Sequence, residues 1–325
     1  MDTATLAASL RAGDRRALAR AITLCESTRP DHRAAAEALL AAVLPATGGA
    51  LRIGISGVPG VGKSTFIESL GCWLVEQGRR VAVLAVDPSS QRGGGAILGD
   101  KTRMDRLTRL EAAFVRPSPS GTQHGGVARR TREALLLCEA AGYDVVLVET
   151  VGVGQAETAV AAMTDAFVLL LLPGGGDELQ GIKRGIMELA DIVVVNKADG
   201  PMLAQARHTA ADYRHALGLM RRALPDWKVP VLQCSALEGT GVAELWAAVE
   251  DLHRRLAEGG RLAERRAEQA RDWLWQEVEA ALLAAFRADP AVAAALPSAE
   301  LGVTAGRETP PAAARRLIEA FGRKA

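Results

Sequence analysis

The chain has 325 residues, 49% of them hydrophobic and 24% charged, a composition that excludes a disordered tail protein, a collagen-like fibre and a disulfide mini-protein. Its 39 Lys+Arg against 38 Asp+Glu leave a net charge of +1, so there is no bulk field for nucleic acid or anionic lipid, and 4% aromatics is too few for a base-stacking platform. Four cysteines (Cys25, Cys72, Cys138, Cys234) without a C-x-x-C pair, and five scattered histidines, read as free buried thiols in a reducing compartment without a zinc or nickel cluster.

The chain start has no charged-then-apolar signal layout, and Asp2 and Asp14 argue against a transit peptide. Residues 1–48 read as an Ala-rich helical extension, with Asp14 capping one helix and Asp31, just after Pro30, capping another. Pro45-Ala-Thr-Gly-Gly then marks a boundary.

From Leu51 short apolar runs alternate with amphipathic stretches. The runs lie at 52–58, 81–87, 112–117, 144–150, 165–173, 191–197 and 229–236. They are apolar almost throughout, as strands buried on both faces should be. Helical segments are expected over Lys63–Gln77, Val127–Ala141, Glu178–Ala190, Leu203–Ala223 and Val242–Leu256. This alternation predicts an α/β fold with a mainly parallel, doubly wound sheet across residues 49–258, binding its ligand at the carboxyl ends of the strands. The longest apolar run, Ala166–Pro173, is far short of a membrane span, so a soluble, cytoplasmic protein without a membrane partner is expected. Residues 259–325 carry no strand signal. They read as a long helix over 261–288 with Trp273 and Trp275, a partly mobile Ala-rich stretch over 288–314, and a short helix over 312–321.

The strongest chemical signal is Gly57-Val58-Pro59-Gly60-Val61-Gly62-Lys63-Ser64-Thr65, a full G-x-x-x-x-G-K-S pattern between a predicted strand and helix. Its backbone N–H groups suit phosphate oxygens, helped by the positive helix end. Lys63 suits the β- and γ-phosphates, and the Ser64 hydroxyl suits Mg²⁺. The second signal is Asn196-Lys197-Ala198-Asp199 at the end of a later strand. A carboxylate at Asp199 can accept from both N1–H and the 2-amino group of guanine, whereas adenine would leave it desolvated and unpaired. With Ser235-Ala236-Leu237 ending the next strand, these residues form a guanine pocket. The nucleotide so read is GTP, with GDP as product. Asp87, Asp100 and Glu149 are acids placed to hold Mg²⁺ directly or through its waters. Glu149-Thr-Val-Gly152 has D-x-x-G spacing, so the Gly152 N–H is placed to sense the γ-phosphate. Val153 stands where Ras-like enzymes carry a water-orienting Gln, which predicts slow intrinsic hydrolysis. The glycine-rich, charged segment 174–185 reads as a switch responding to nucleotide or partner.

Taken together, GVPGVGKSTFIESLG, VLAVDPSS, GAILGDKTRM, FVRPSPSGTQHGGVARRTRE, ETVGVGQAE, PGGGDELQGIKRG and NKAD closely resemble the MeaB/ArgK-type G-protein chaperones of adenosylcobalamin-dependent methylmalonyl-CoA mutase. The likeness runs from about residue 10 to 260. It implies a P-loop GTPase flanked by an N-terminal helical extension and a C-terminal helical dimerisation region, working as a homodimer. It also implies a chaperone that binds and protects the mutase, or a related acyl-CoA mutase, and gates cobalamin delivery from adenosyltransferase. The resemblance further places Lys183 in a third switch that couples mutase binding to GTP hydrolysis, and matches Asp87, Asp100 and Glu149 to the family's Mg²⁺ and nucleotide-sensing acids. Two other readings compete. A P-loop kinase acting on a transport protein or small acceptor needs an acceptor pocket and an aligned base, and neither is visible. A nickel-delivery GTPase would call for Cys/His clusters, and the sequence has none.

Overall fold

A computed structural model describes residues 2–27, 29–86, 104–117, 124–150, 156–174, 184–220, 224 and 226–322. The chain divides into two compact units, Met1–Arg266 and Ala267–Ala325.

In the first unit, β1 (Leu51–Gly57), β2 (Val81–Val86), β3 (Ala113–Arg116), β4 (Val145–Thr150), β5 (Ala166–Leu171), β6 (Ile192–Val195) and β7 (Val231–Gln233) form a seven-stranded sheet. The strand order is β3-β2-β4-β1-β5-β6-β7, and every pairing is parallel. The apolar runs lack polar alternation because both faces are covered. Val146 and Val148 of β4 pack into one layer, while Val145 and Leu147 pack into the other. The expected α/β P-loop architecture is what the chain adopts.

The first layer contains α1 (Thr3–Arg11), α2 (Arg15–Glu26) and α3 (Pro30–Val43) with α6 (His124–Ala140). Leu10, Leu18, Ile22 and Leu39 are fully buried there beside Leu137 and Cys138, so the N-terminal helices share the core of the sheet. Asp14 caps α2 as expected, accepting from Arg16 N at 2.7 Å and Ala17 N at 3.2 Å. Asp31 does not cap α3: Pro30 starts that helix, Arg29 is the N-cap residue, and the Asp31 carboxylate pairs with Arg29. Proline at the first helical position supplies a preset φ and lacks the N–H that a cap would satisfy.

The opposite layer holds α4 (Lys63–Glu76), the short α5 (Asp105–Arg109) and α10 (Val242–Glu258). In α10, Val242, Leu245, Trp246, Val249, Leu252 and Leu256 fall at helical spacing and are all buried. Three further helices, α7 (Ala156–Ala161), α8 (Arg184–Leu189) and α9 (Leu203–Gly218), complete the strand connections among the described residues. The part of the expected 178–190 helix before residue 184 lies outside the described residues. All four cysteines are free and buried. Burial pushes the Cys25 and Cys234 thiols up to about 12, so they are inert, protonated core groups.

The amino edge of the sheet is closed by ions. Asp165 and Asp191 immediately precede β5 and β6, and α11 (Arg261–Ala288) begins against them. Arg266 donates to Asp165 Oδ1 at 2.8 Å and Oδ2 at 2.7 Å, and to the carbonyls of Gly48 at 2.5 Å and Ala50 at 2.7 Å. Arg265 donates to Asp165 O at 2.7 Å and Asp191 Oδ2 at 3.1 Å. Asp165 is 1% exposed, which demands this degree of pairing.

The second unit contains the rest of α11 with α12 (Pro290–Thr304) and α13 (Pro310–Gly322). The stretch read as partly mobile is instead helical over Pro290–Thr304, because Asp289 caps it through Ala291 N and Val292 N. Val292, Ala299, Ala313 and Leu317 form a small core, joined by an edge-to-face Phe286–Phe321 pair at 5.4 Å. Leu274, Trp275, Leu282 and Leu283 are exposed. Among the described residues no single helix is long and apolar enough to cross a membrane.

Candidate functional site

β1 ends at Gly57, and the chain turns through residues 58–62 into α4. Two positions need glycine: Gly60 at φ +82° and Gly62 at φ +89°, a region that a side chain disfavours. At Gly62 a Cβ would also come within 3.1 Å of Asn196 Nδ2. Val61 is fully buried and pins the middle of the loop, while Pro59 and Thr65 are exposed. Phe66 N donates to Gly62 O at 2.9 Å, opening the helix, whose Phe66, Ile67 and Leu70 are buried. The result is a turn of main-chain N–H groups at a helix N-terminus, an arrangement suited to phosphate oxygens.

The Lys63 ammonium donates to Gly57 O at 2.7 Å and Val58 O at 3.3 Å. Burial pushes its pKa down, opposed by the charges of Glu149 and Glu157. Ser64 Oγ donates to Glu149 Oε1 at 3.3 Å, and Glu149 is buried near the end of β4. A hydroxyl and a carboxylate side by side make a hard-oxygen pair, the donor chemistry Mg²⁺ prefers when phosphates and water supply its other ligands. Among the described residues no group of three or more His, Cys, Asp or Glu could hold a metal ion. Asp87, Asp100, Gly152 and Lys183 lie outside the described residues.

The second expected motif is carried to the same place by β6. Asn196 is 1% exposed. Its Nδ2 donates to Val61 O at 2.8 Å, and its Oδ1 accepts from Ala236 N at 3.2 Å. One side chain therefore joins the phosphate loop to the loop after β7. Lys197, exposed and at φ +58°, donates to Gly60 O at 2.8 Å, a second strut between the loops. Asp199 accepts from the Ser235 hydroxyl, and Ser235 Oγ in turn accepts from Glu238 N at 3.1 Å. Ser235 and Ala236 are buried, whereas Leu237 is 84% exposed, so its side chain stands in solvent. Motifs far apart in sequence thus meet at the carboxyl ends of β1, β4 and β6. Sequence reasoning missed Glu157, which is 2% exposed in the first turn of α7. A lone acid in an Ala-rich stretch directly after Glu149–Gln155 was the available signal.

A family model described as "Methylmalonyl Co-A mutase-associated GTPase MeaB" matches residues 18–291. The chain is 52% identical to a protein of Escherichia coli named "GTPase ArgK", over 87% of this chain and 86% of that one. It is 47% identical to the "Methylmalonic aciduria type A homolog, mitochondrial" of Mus musculus, over 95% of this chain and 77% of that one. Among solved structures, one described as that of "LAO/AO transport system kinase" aligns at a TM-score of 0.78 with 42% identity, covering 98% of this chain and 97% of that one.

Proposed function

Because the chain belongs to the methylmalonyl-CoA mutase-associated GTPase family, we propose that it binds GTP with Mg²⁺, hydrolyses it slowly, and uses that cycle as a chaperone. In this reading it gates adenosylcobalamin delivery to methylmalonyl-CoA mutase or a related acyl-CoA mutase, and protects that enzyme. The observation that carries the nucleotide reading is the Asn196 bridge between Val61 O and Ala236 N, which presents a phosphate loop and a base-reading carboxylate as one site.

The loop amides of residues 60–65 receive the phosphates. Lys63 exchanges the carbonyls of Gly57 and Val58 for phosphate oxygens, a stronger charge-assisted contact. Asp199, now held by Ser235, turns to the N1–H and 2-amino group of guanine, with Ser235, Ala236 and Leu237 lining the base side. Ser64 and Glu149 would hold Mg²⁺, together with Asp87 and Asp100. Bound there, the ion would neutralise phosphate charge. Val153 at the water-orienting position supports a slow intrinsic rate that the partner raises through Lys183. The exposed Leu274, Trp275, Leu282 and Leu283 support a homodimer through residues 259–325. Cytoplasmic residence and contact with adenosyltransferase complete the proposal.

The test is calorimetry and turnover on the full chain. Asp199→Asn should move preference from GTP to xanthosine triphosphate, and unchanged GTP affinity would refute the base pocket. Adding methylmalonyl-CoA mutase should raise the GTPase rate and co-elute with the protein; no change in either sinks the chaperone reading. The 42% identical structure is described as that of a transport system kinase, which favours a second reading, phosphoryl transfer to an acceptor. Release of the γ-phosphate as free phosphate, with none on protein or small acceptor, separates the two.

A further inference from the structure

β1 and β4 are neighbours whose following helices lie on opposite faces of the sheet. β1 feeds α4, whose Phe66 and Ile67 pack into the layer of Val145 and Leu147, whereas β4 is followed by α7, whose Val160 packs into the layer of Val146 and Val148. The crevice between two such strands is where a doubly wound sheet takes its ligand. Among the described residues the backbone register that joins them runs from Leu51↔Val145 to Ile55↔Glu149. Beyond that level each strand is held by its outer neighbour. Ser56 and Gly57 pair with Leu169 and Leu170 of β5, and Thr150 pairs with Val86 of β2. Across the parting, Thr150 Oγ1 donates to Ser56 Oγ at 2.8 Å. Ser56 is 1% exposed and Thr150 0%, so water does not compete for the bond.

Side chains alternate along a strand, so Glu149 and Thr150 face opposite layers. Glu149 accepts from Ser64 Oγ at 3.3 Å, at the helix end of the phosphate loop, while Thr150 reaches Ser56 at the strand end. Two successive residues of β4 therefore hold both roots of the loop. The carbonyl next to Ser56, that of Gly57, accepts from Lys63 at 2.7 Å. We infer that Thr150 is a positioning residue of the GTPase reaction: acting through Ser56, its hydroxyl sets the strand end of the loop at a fixed distance from Glu149. This rests on the GTPase reading above, in which Ser64 and Glu149 give up their mutual bond to hold Mg²⁺. The Thr150–Ser56 bond takes no part in that exchange, so β4 stays tied to the loop while its other tie changes partners. Loss of the hydroxyl therefore impairs turnover, where displacement by about 1 Å counts, more than ground-state binding by the loop amides.

The experiment compares wild type, Thr150→Val, Thr150→Ser, Ser56→Ala and the double variant Ser56→Ala/Thr150→Val as full chains. It reads single-turnover GTP hydrolysis, calorimetric Kd for GDP, and thermal midpoint. Thr150→Val keeps the shape and removes the donor. Its hydrolysis rate should fall about tenfold while GDP Kd stays within about threefold, and Thr150→Ser should recover most of the rate. The double variant separates positioning from packing. Thr150→Val strands a buried Ser56 hydroxyl and lowers the thermal midpoint, whereas replacing both hydroxyls leaves neither unpaired and should restore it. The rate should stay low in the double variant, because the tie is still missing. A wild-type rate in Thr150→Val overturns the inference, as does a rate that returns with the midpoint in the double variant, or a GDP affinity that falls as far as the rate. Should Thr150→Val not fold, Ser56→Ala and the double variant decide by the same criteria. Wild type that turns over no GTP refutes the GTPase reading itself, whereas active wild type matched by Thr150→Val refutes only the role of Thr150.

Discussion

Replacing Asn196 by Ala removes two bonds at once, the donation to Val61 O at 2.8 Å and the acceptance from Ala236 N at 3.2 Å. Both loops then carry a main-chain group without its partner inside a site where Asn196 is 1% exposed. An unsatisfied buried group costs about 1–3 kcal/mol. The shorter bond belongs near the middle of that range and the longer one near its lower end, for a total of about 3 kcal/mol. In the nucleotide-free protein, water entering the vacated space offsets part of this cost. A bound nucleotide closes the mouth and removes that relief, so GDP and GTP affinities should fall together by about 10- to 100-fold. Asn196→Asp sharpens the argument. It keeps an acceptor for Ala236 N but turns an oxygen towards Val61 O, where two acceptors repel. The expected order of affinity, by calorimetry on the full chain, is therefore wild type, then Ala, then Asp. Wild-type GDP affinity in either variant, or an Asp variant that binds better than the Ala one, would refute the bridging role.

Arg266→Ala strips Asp165 of both guanidinium bonds and leaves a carboxylate 1% exposed. Stability measured by urea unfolding should drop by about 3–5 kcal/mol, and a loss below 1 kcal/mol (less than this range by a wide margin) would show that the pair contributes little. Asp191 gives a test in pH. Burial pushes its carboxyl above the ordinary carboxylate range, with Arg265 opposing. A raised folded-state pKa contributes stability that is fully present below the unfolded value and lost as pH rises through the folded one. The stability of wild type minus that of Asp191→Asn should therefore shrink as pH rises through that window, and a difference that grows refutes the sign.

Much of this architecture was legible in the residues. Strands buried on both faces leave unbroken apolar runs such as Phe167–Leu171, and their ends came within a residue or two of those expected, except that β7 stops at Gln233, three residues short of the expected run. The phosphate loop and the 196–199 turn were readable because their chemistry dictates both residue type and spacing. What escaped depends on distance along the chain. Arg266 meets Asp165 across 101 positions, and nothing local to either marks the partnership. Asn196 read as part of the guanine pocket, yet its partner Val61 lies 135 residues away. The helix at 290–304 was hidden by its alanine-rich monotony, although Asp289-Pro290 is a start signal of the kind that betrayed α2. Asp31 failed in the opposite way, since a good capping residue placed after a proline falls inside the first turn.

The two adjacent arginines at the root of α11 also decide where this protein can be cut. By residue pattern the GTPase ends near 258, and a trimmed version stopping there would look complete. It would lack Arg265 and Arg266, so the leading ends of β5 and β6 would keep buried carboxylates with no counter-ions, and the carbonyls of Gly48 and Ala50 would lose their donor. An expression boundary placed before residue 266 would give a lamed sheet, and the few residues beyond the last strand-linked helix are the keystone of the enzyme rather than the beginning of its tail.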